Sequence, residues 1–165
     1  MGAFVDSGDG RLRSSVRRVR DEWIDFNGHM NVGYYVIAFD EVSVEILGNL
    51  GIDDAYREGR NASTFALEMH VTYERELVPN APYFVVTQLL DADHKRLHLC
   101  HEMYHAEEGW LAATNELITI HMDMNQRRSA SFPPDIQERV DILKSAHASL
   151  PWPERQGRQI AIRRK

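Results

Sequence analysis

The apolar positions of this chain change their period once, and the change separates a helix from a sheet. From residue 32 to residue 50 the apolar side chains are Val32, Tyr35, Val36, Phe39, Val42, Ile46, Leu47 and Leu50. Steps of mostly three and four trace one face of an amphipathic helix, with Asp40, Glu41 and Glu45 mainly off the stripe. Gly48 and Gly51 mark its end, and residues 53–59 read as a short helical turn. From residue 64 the period is two. Phe65, Leu67, Met69, Val71 and Tyr73 alternate with Thr64, Ala66, Glu68, His70, Thr72 and Glu74, which predicts a long half-buried strand with the first set on one face. Pro79, Asn80 and Pro82 form a turn. Further strands are expected over 83–90, 96–106 and 110–122, with turns at 91–95 and 107–109. Pro133 and Pro134 introduce a second helix over 135–148. Upstream, residues 16–23 predict a short first strand with Val19 and Trp23 available for burial.

The order is therefore strand, long helix, four antiparallel strands and a terminal helix. Hairpin-sized links imply that consecutive strands pair. The helix must lie on the sheet to bury its stripe. The fold class is α+β, an antiparallel sheet wrapped around one long central helix. A chain of 165 residues suits one such domain. Residues 1–14 are expected as a flexible arm, 15–150 as the domain and 151–165 as a tail.

Composition narrows the setting. Hydrophobic residues make up 43 % of the chain, an ordinary globular share. No apolar run approaches a membrane span, so no membrane partner is expected. The first nine residues lack an apolar core and carry Asp6 and Asp9, which fits neither a signal nor a transit peptide. Cys100 is the only cysteine, so no disulfide forms within the chain. That agrees with a reducing, cytoplasmic compartment. The glycosylation triplet at Asn61 would be used only in a secreted protein. A net charge of −6 argues against a nucleic-acid partner. The arginines gather near the ends: Arg11, Arg13, Arg17, Arg18 and Arg20, then Arg155, Arg158, Arg163 and Arg164 with Lys165. They read as solvated tails or as an electropositive rim for a phosphorylated ligand.

The candidate chemistry is concentrated at the mouth of the long helix. Asp25, Asn27, Gly28, His29 and Asn31 fall within seven residues, with Tyr35 four positions on. Asp25 and Asn31 are good helix N-caps, and Asn-Gly-His suits a bend. The same groups also suit a site in which an acid acts on a substrate held at the free N–H groups of a helix start, near residues 31–34. Gly28 would let backbone approach a ligand closely. Glu68 and His70, two apart on a strand, share a face and form a second candidate pair. His101-Glu102-Met103-Tyr104-His105 matches the H-E-x-x-H zinc pattern. On a helix its two histidines would be about 6 Å apart; on a strand they are about 13 Å apart. The alternating context indicates a strand, and no metal site is expected. Cys100, mid-strand, reads as a packed residue.

The short strand, the D-x-N-G-H-M-N run with its following tyrosine, the long helix and the strand series together resemble the hotdog-fold acyl-CoA thioesterases. Plant acyl-carrier-protein thioesterases share a similar D-x-N-x-H-V-N-N-x-x-Y pattern. Asp25, Asn27, His29, Asn31 and Tyr35 match it, whereas Val32 replaces the second amide of the N-N pair. Glu68-Met69-His70, the segment from Gln88 to Leu99, Glu116 and His121-Met122-Asp123 look like the betainyl-CoA thioesterases, a group that accompanies carnitine dehydrogenase and is sometimes fused to it. The resemblance covers roughly residues 16–150.

It implies a hotdog fold and hydrolysis of a small acyl-CoA, betainyl-CoA first, with Asp25 as base or nucleophile. The helix N–H groups would be oxyanion donors, with Asn27, His29 and Asn31 in support. It also implies that no cofactor is needed beyond the CoA of the substrate. A homodimer or homotetramer follows, because hotdog active sites lie between subunits, and carnitine dehydrogenase is an implied partner. Glu68 and His70 would reach the site of a neighbouring subunit. Gly33, Tyr34, Tyr35 and Trp23 would contact substrate. A quaternary ammonium favours aromatic faces, so Trp23, Tyr34, Tyr35, Tyr73 and Trp110 are cage candidates, with Glu68 as counter-charge. Two other readings stay open. A hotdog hydratase or dehydratase uses a D-x-N-P-x-H-like stretch, which this chain lacks by one residue and a proline. A non-catalytic acyl-CoA binder would keep the fold without turnover.

Overall fold

Val32–Asn49 forms the long helix α1, and the sheet curls around it. The computed structural model describes residues 5–162; residues 1–4 of the expected arm, and Arg163, Arg164 and Lys165 of the basic end, lie outside them. In chain order the strands are β1 (Val5–Asp6), β2 (Leu12–Arg13) and β3 (Arg17–Arg18), then β4 (Ala62–Tyr73), β5 (Pro82–Ala92), β6 (Arg96–His105), β7 (Leu111–Asp123) and β8 (Arg128–Ser129). Helix α2 (Asp54–Arg60) follows α1, and α3 (Pro134–His147) follows β8. Most of the predicted stripe is buried: Tyr35, Phe39, Val42, Ile46 and Leu47, joined by Ala38, meet the inner face of the sheet, whereas Val32 is exposed. Phe39 is fully buried, and its truncation to alanine would cost about 3–5 kcal/mol. The helix stops where Gly51 takes φ +90° and Ile52 N–H turns back to the Leu47 carbonyl at 2.8 Å. A side chain there would also run into Arg139.

The sheet order is β1-β2-β5-β6-β7-β4, with β3 on β5 and β8 on β7. The expectation that consecutive strands pair holds for β5, β6 and β7 and fails for β4, which pairs with β7 instead of β5. The link between β4 and β5 is long enough to pass the mouth of α1. There Met30 N–H donates to the Leu77 carbonyl at 2.8 Å, and Leu77 N–H donates to the Tyr35 hydroxyl at 3.0 Å. This crossing brings the end of β4 to the start of the helix.

Three local expectations are corrected. Residues 16–23 do not form one strand: Arg17–Arg18 pairs with β5, and Asp21–Trp23 is a single turn of 3-10 helix that sinks Trp23 into the core. The stretch expected as a loose arm contributes strands from Val5 onward, because β2 finds an open edge of β5 at Val86 and Thr87. Phe65 and Met69 do not share a face. A bulge at Leu67 shifts the register between Ala66 and Glu68, and a one-residue slip turns the following side chains over. Phe65 stands opposite Ile120 on the outer face, while Met69 stands opposite the buried Leu117.

The H-E-x-x-H run is strand, within β6. His101 is completely buried under α1. Its Nδ1 lies 2.8 Å from the Thr87 hydroxyl and its Nε2 lies 3.0 Å from Ser43 Oγ. His105 is engaged separately, accepting from Glu108 N–H at 3.1 Å. The tail lies over the outer face of the sheet. Gln88 donates to the Pro151 carbonyl at 3.3 Å, and Gly157 N–H donates to Glu116 at 2.8 Å.

Several terminal arginines are held in ion pairs within the fold. Arg11 pairs with Asp9 and Glu102, Arg17 with Glu41 and Glu45, and Arg155 and Arg158 with Glu74. No helix among the described residues is long and apolar enough to cross a membrane.

Candidate active site

The loop before α1 is closed by its own hydrogen bonds. Asp25 N–H donates to the His29 carbonyl at 3.1 Å, and Gly28 N–H donates to the Asp25 carbonyl at 3.0 Å. Gly28 takes φ +81°, a left-handed conformation that glycine adopts without steric cost. Asp25 Oδ1 accepts from Asn27 N–H at 2.8 Å. Asn31 is the N-cap: its Oδ1 accepts from Gly33 N–H at 2.9 Å, while its Nδ2 donates to Asp25 Oδ2 at 3.3 Å. The cluster thus caps the helix and ties the acid to the cap at once. One amide both caps the start of the helix and donates to the acid. Asp25 is half-buried and each carboxylate oxygen has one protein donor, leaving lone pairs for a water or a substrate.

The helix start offers fewer donors than its sequence suggests. Asn31 N–H is taken by the Trp23 carbonyl, Gly33 N–H by Asn31 Oδ1 and Tyr34 N–H by the Asn31 carbonyl. Val32 N–H remains, with no partner among the described residues, at the positive end of the helix dipole. Val32 is itself exposed, at 57 %.

Beside Val32 lies a recess of about 230 Å³, lined by His29, Met30, Val32, Tyr35, Tyr73, Glu74, Arg75 and Glu76. His29 turns into it, with Nδ1–H toward the Met30 carbonyl at 3.3 Å and Nε2 3.9 Å from Glu76. Tyr73 donates its hydroxyl to the Val32 carbonyl at 3.1 Å and meets the Tyr35 ring edge-on, with centroids 5.4 Å apart. Burial raises the pKa of both phenols, which keeps them neutral. Glu74, Arg75 and Glu76 carry no signal in the linear sequence beyond a charged run at a strand end. Only the β4–β5 crossing reveals their place.

The predicted residues do not all converge. Asp25, Asn27 and Asn31 form one bonded set, and His29 and Tyr35 face the recess next to it. Trp23 and Tyr34 stack on each other at 5.6 Å, with Trp23 buried beneath Arg20. Gly33 forms the first turn of α1. Glu68 and His70 are not brought to this set within the chain. They lie up β4 on the outer face opposite Ile118 and Glu116, and Glu68 is about 17 Å of strand from Tyr73.

A sequence profile of the Thioesterase-like superfamily matches residues 19–140, nearly the whole folded unit. The chain belongs to this superfamily. A betainyl-CoA thioesterase of Pseudomonas aeruginosa is 35 % identical over 144 residues, covering 87 % of this chain and 91 % of that protein. An L-carnitine dehydrogenase/betainyl-CoA thioesterase of Rhizobium meliloti is 30 % identical over 94 % of this chain, which corresponds to 31 % of that longer protein. Among solved structures, the hypothetical protein SAV2348 of Staphylococcus aureus, determined in complex with CoA, superposes with a TM-score of 0.87 at 31 % identity, covering 99 % of this chain and 100 % of that one. A putative thioesterase of Pseudomonas putida gives a TM-score of 0.81 at 28 % identity, covering 93 % of this chain and 98 % of that one. The fold is the hotdog fold, and this member of the Thioesterase-like superfamily is a thioester hydrolase.

Proposed function

We propose that the chain hydrolyses betainyl-CoA to betaine and CoA, in the cytoplasm and alongside carnitine dehydrogenase. The observation that carries the substrate is the 35 % identity to a betainyl-CoA thioesterase along nearly the full length of both chains. In this reading Asp25 activates water or attacks the thioester carbonyl, and Asn31 holds it in place. The Val32 N–H donates to the developing oxyanion. Water is the second substrate and no cofactor takes part.

The working unit is proposed as a homodimer or larger. The outer edge of β4 has no partner strand among the described residues, and a twelve-residue free edge calls for cover. Leu67 on that strand, Val32 at the helix mouth and Phe26 at the loop tip are exposed. A second copy paired along β4 is the reading in which Glu68 and His70 approach a neighbouring site.

The test is thiol release from betainyl-CoA, from its neutral isostere 3,3-dimethylbutanoyl-CoA and from straight-chain acyl-CoAs, before and after dialysis against a chelator. The reading predicts that betainyl-CoA has the highest kcat/KM and that dialysis changes nothing. Equal or better turnover of the neutral isostere contradicts the substrate. Binding of every thioester without thiol release contradicts hydrolysis.

A further inference from the structure

A trimethylammonium on the carbon next to a thioester leaves little freedom in where its recognition site lies. The nitrogen and the carbonyl carbon are separated by about 2.5 Å, the same N–C–C span as in an amino acid. Any group that recognises the cation must therefore adjoin the donor that holds the carbonyl oxygen. Here that donor is the Val32 amide.

Most aromatic rings near the helix mouth are already in use. Trp23 is buried, with Arg20 over its face at 4.5 Å and Tyr34 stacked on it. Trp110 has Arg75 over its ring at 4.2 Å and His105 stacked at 4.9 Å. Tyr73 differs. It is 49 % exposed, its hydroxyl is bonded to the carbonyl of Val32 itself, and its edge-on contact with Tyr35 occupies at most one face.

The charges around the recess are uneven in the same direction. Glu74 is neutralised by Arg155 and Arg158 from the tail. Arg75 is drawn off onto Trp110, 3.9 Å from Glu108. Among the described residues Glu76 keeps only His29, at 3.9 Å, and its side chain is 64 % exposed.

We infer that the recess beside Val32 is the acyl subsite, in which the Tyr73 ring takes a quaternary ammonium and Glu76 supplies its counter-charge. This inference rests on the betainyl-CoA reading above. It moves cation recognition from Trp23, Trp110 and Glu68 to the end of β4.

The experiment measures the ratio of kcat/KM for betainyl-CoA to that for 3,3-dimethylbutanoyl-CoA, which has the same shape without the charge. Glu76→Gln and Tyr73→Leu are each expected to lower that ratio at least threefold, on the order of tenfold. Tyr73→Phe, which keeps the ring, is expected to retain most of it. A wild-type ratio in either Glu76→Gln or Tyr73→Leu overturns the subsite, as does an equal loss in Tyr73→Phe and Tyr73→Leu. Glu76→Gln changes an exposed side chain and decides the matter even where Tyr73→Leu does not fold. A wild-type enzyme with no preference for the cation overturns the substrate reading first and the subsite with it, so the two failures are told apart.

Discussion

The Asn31 side-chain amide donates to the Asp25 carboxylate at 3.3 Å while its oxygen caps α1 through Gly33 N–H at 2.9 Å. In the proposed mechanism stability and catalysis share this residue, and a substitution can separate them. Asn31→Asp keeps a good N-cap but replaces a donor to Asp25 by a second carboxylate. The variant is expected to melt near the wild-type temperature and to lose on the order of 10²-fold in kcat. Asn31→Ala is expected to lose activity and about 1 kcal/mol of stability together. Thermal melts beside thiol-release rates check both. Full activity in Asn31→Asp would mean that the amide only caps the helix.

Stability should depend on pH through His101. Complete burial lowers its pKa from 6.5 to about 4. The unfolded chain therefore binds the extra proton between those values while the folded chain does not, and stability rises with pH across that window. The contribution is complete above about pH 6.5 and is lost on acidification, amounting to roughly 3 kcal/mol at the acid end. Melting temperatures from pH 7 to pH 4 should fall for the wild type and fall less for His101→Gln, whatever the latter's absolute stability. Identical slopes in the two proteins count against this assignment.

Cys100 should be silent in the native protein. It is 1 % exposed, and burial, with Glu102 and Glu116 adding to it, raises the thiol pKa well above its ordinary value. A thiol reagent is expected to find no reactive group in the folded chain and one equivalent after denaturation. Rapid labelling of the folded protein would show that the outer face opens. The same silence makes released CoA thiol a clean readout.

The free edge of β4 gives a test of assembly. Leu67 sits in the bulge, 57 % exposed. Leu67→Arg places a charge where a second copy is proposed to dock, and the expected result is a monomer by analytical ultracentrifugation with lower activity. A wild-type mass at the same concentration would place the interface elsewhere.

Much of the architecture was legible because it rests on period alone. The stripe from Tyr35 to Leu47 and the alternation in β5, β6 and β7 follow from which side chains must leave water. What was not legible depends on single events that composition does not mark. One bulge residue, Leu67, reverses the face of Phe65. One crossing after Tyr73 moves β4 to the far side of β7 and brings Glu76 to His29. The site was half visible for the same reason. Asp25 and Asn31 are neighbours in sequence, whereas the recess is assembled from residues more than forty positions apart.

Asp25 is proposed to perform the chemistry. The direct measurement is single-turnover thiol release from betainyl-CoA by wild type, Asp25→Asn and Asp25→Ala, with melting temperatures to show that each is folded. Both variants are expected to fall by about 10²–10⁴-fold while remaining folded. Release at the wild-type rate by a folded Asp25→Ala would remove Asp25 from the chemistry.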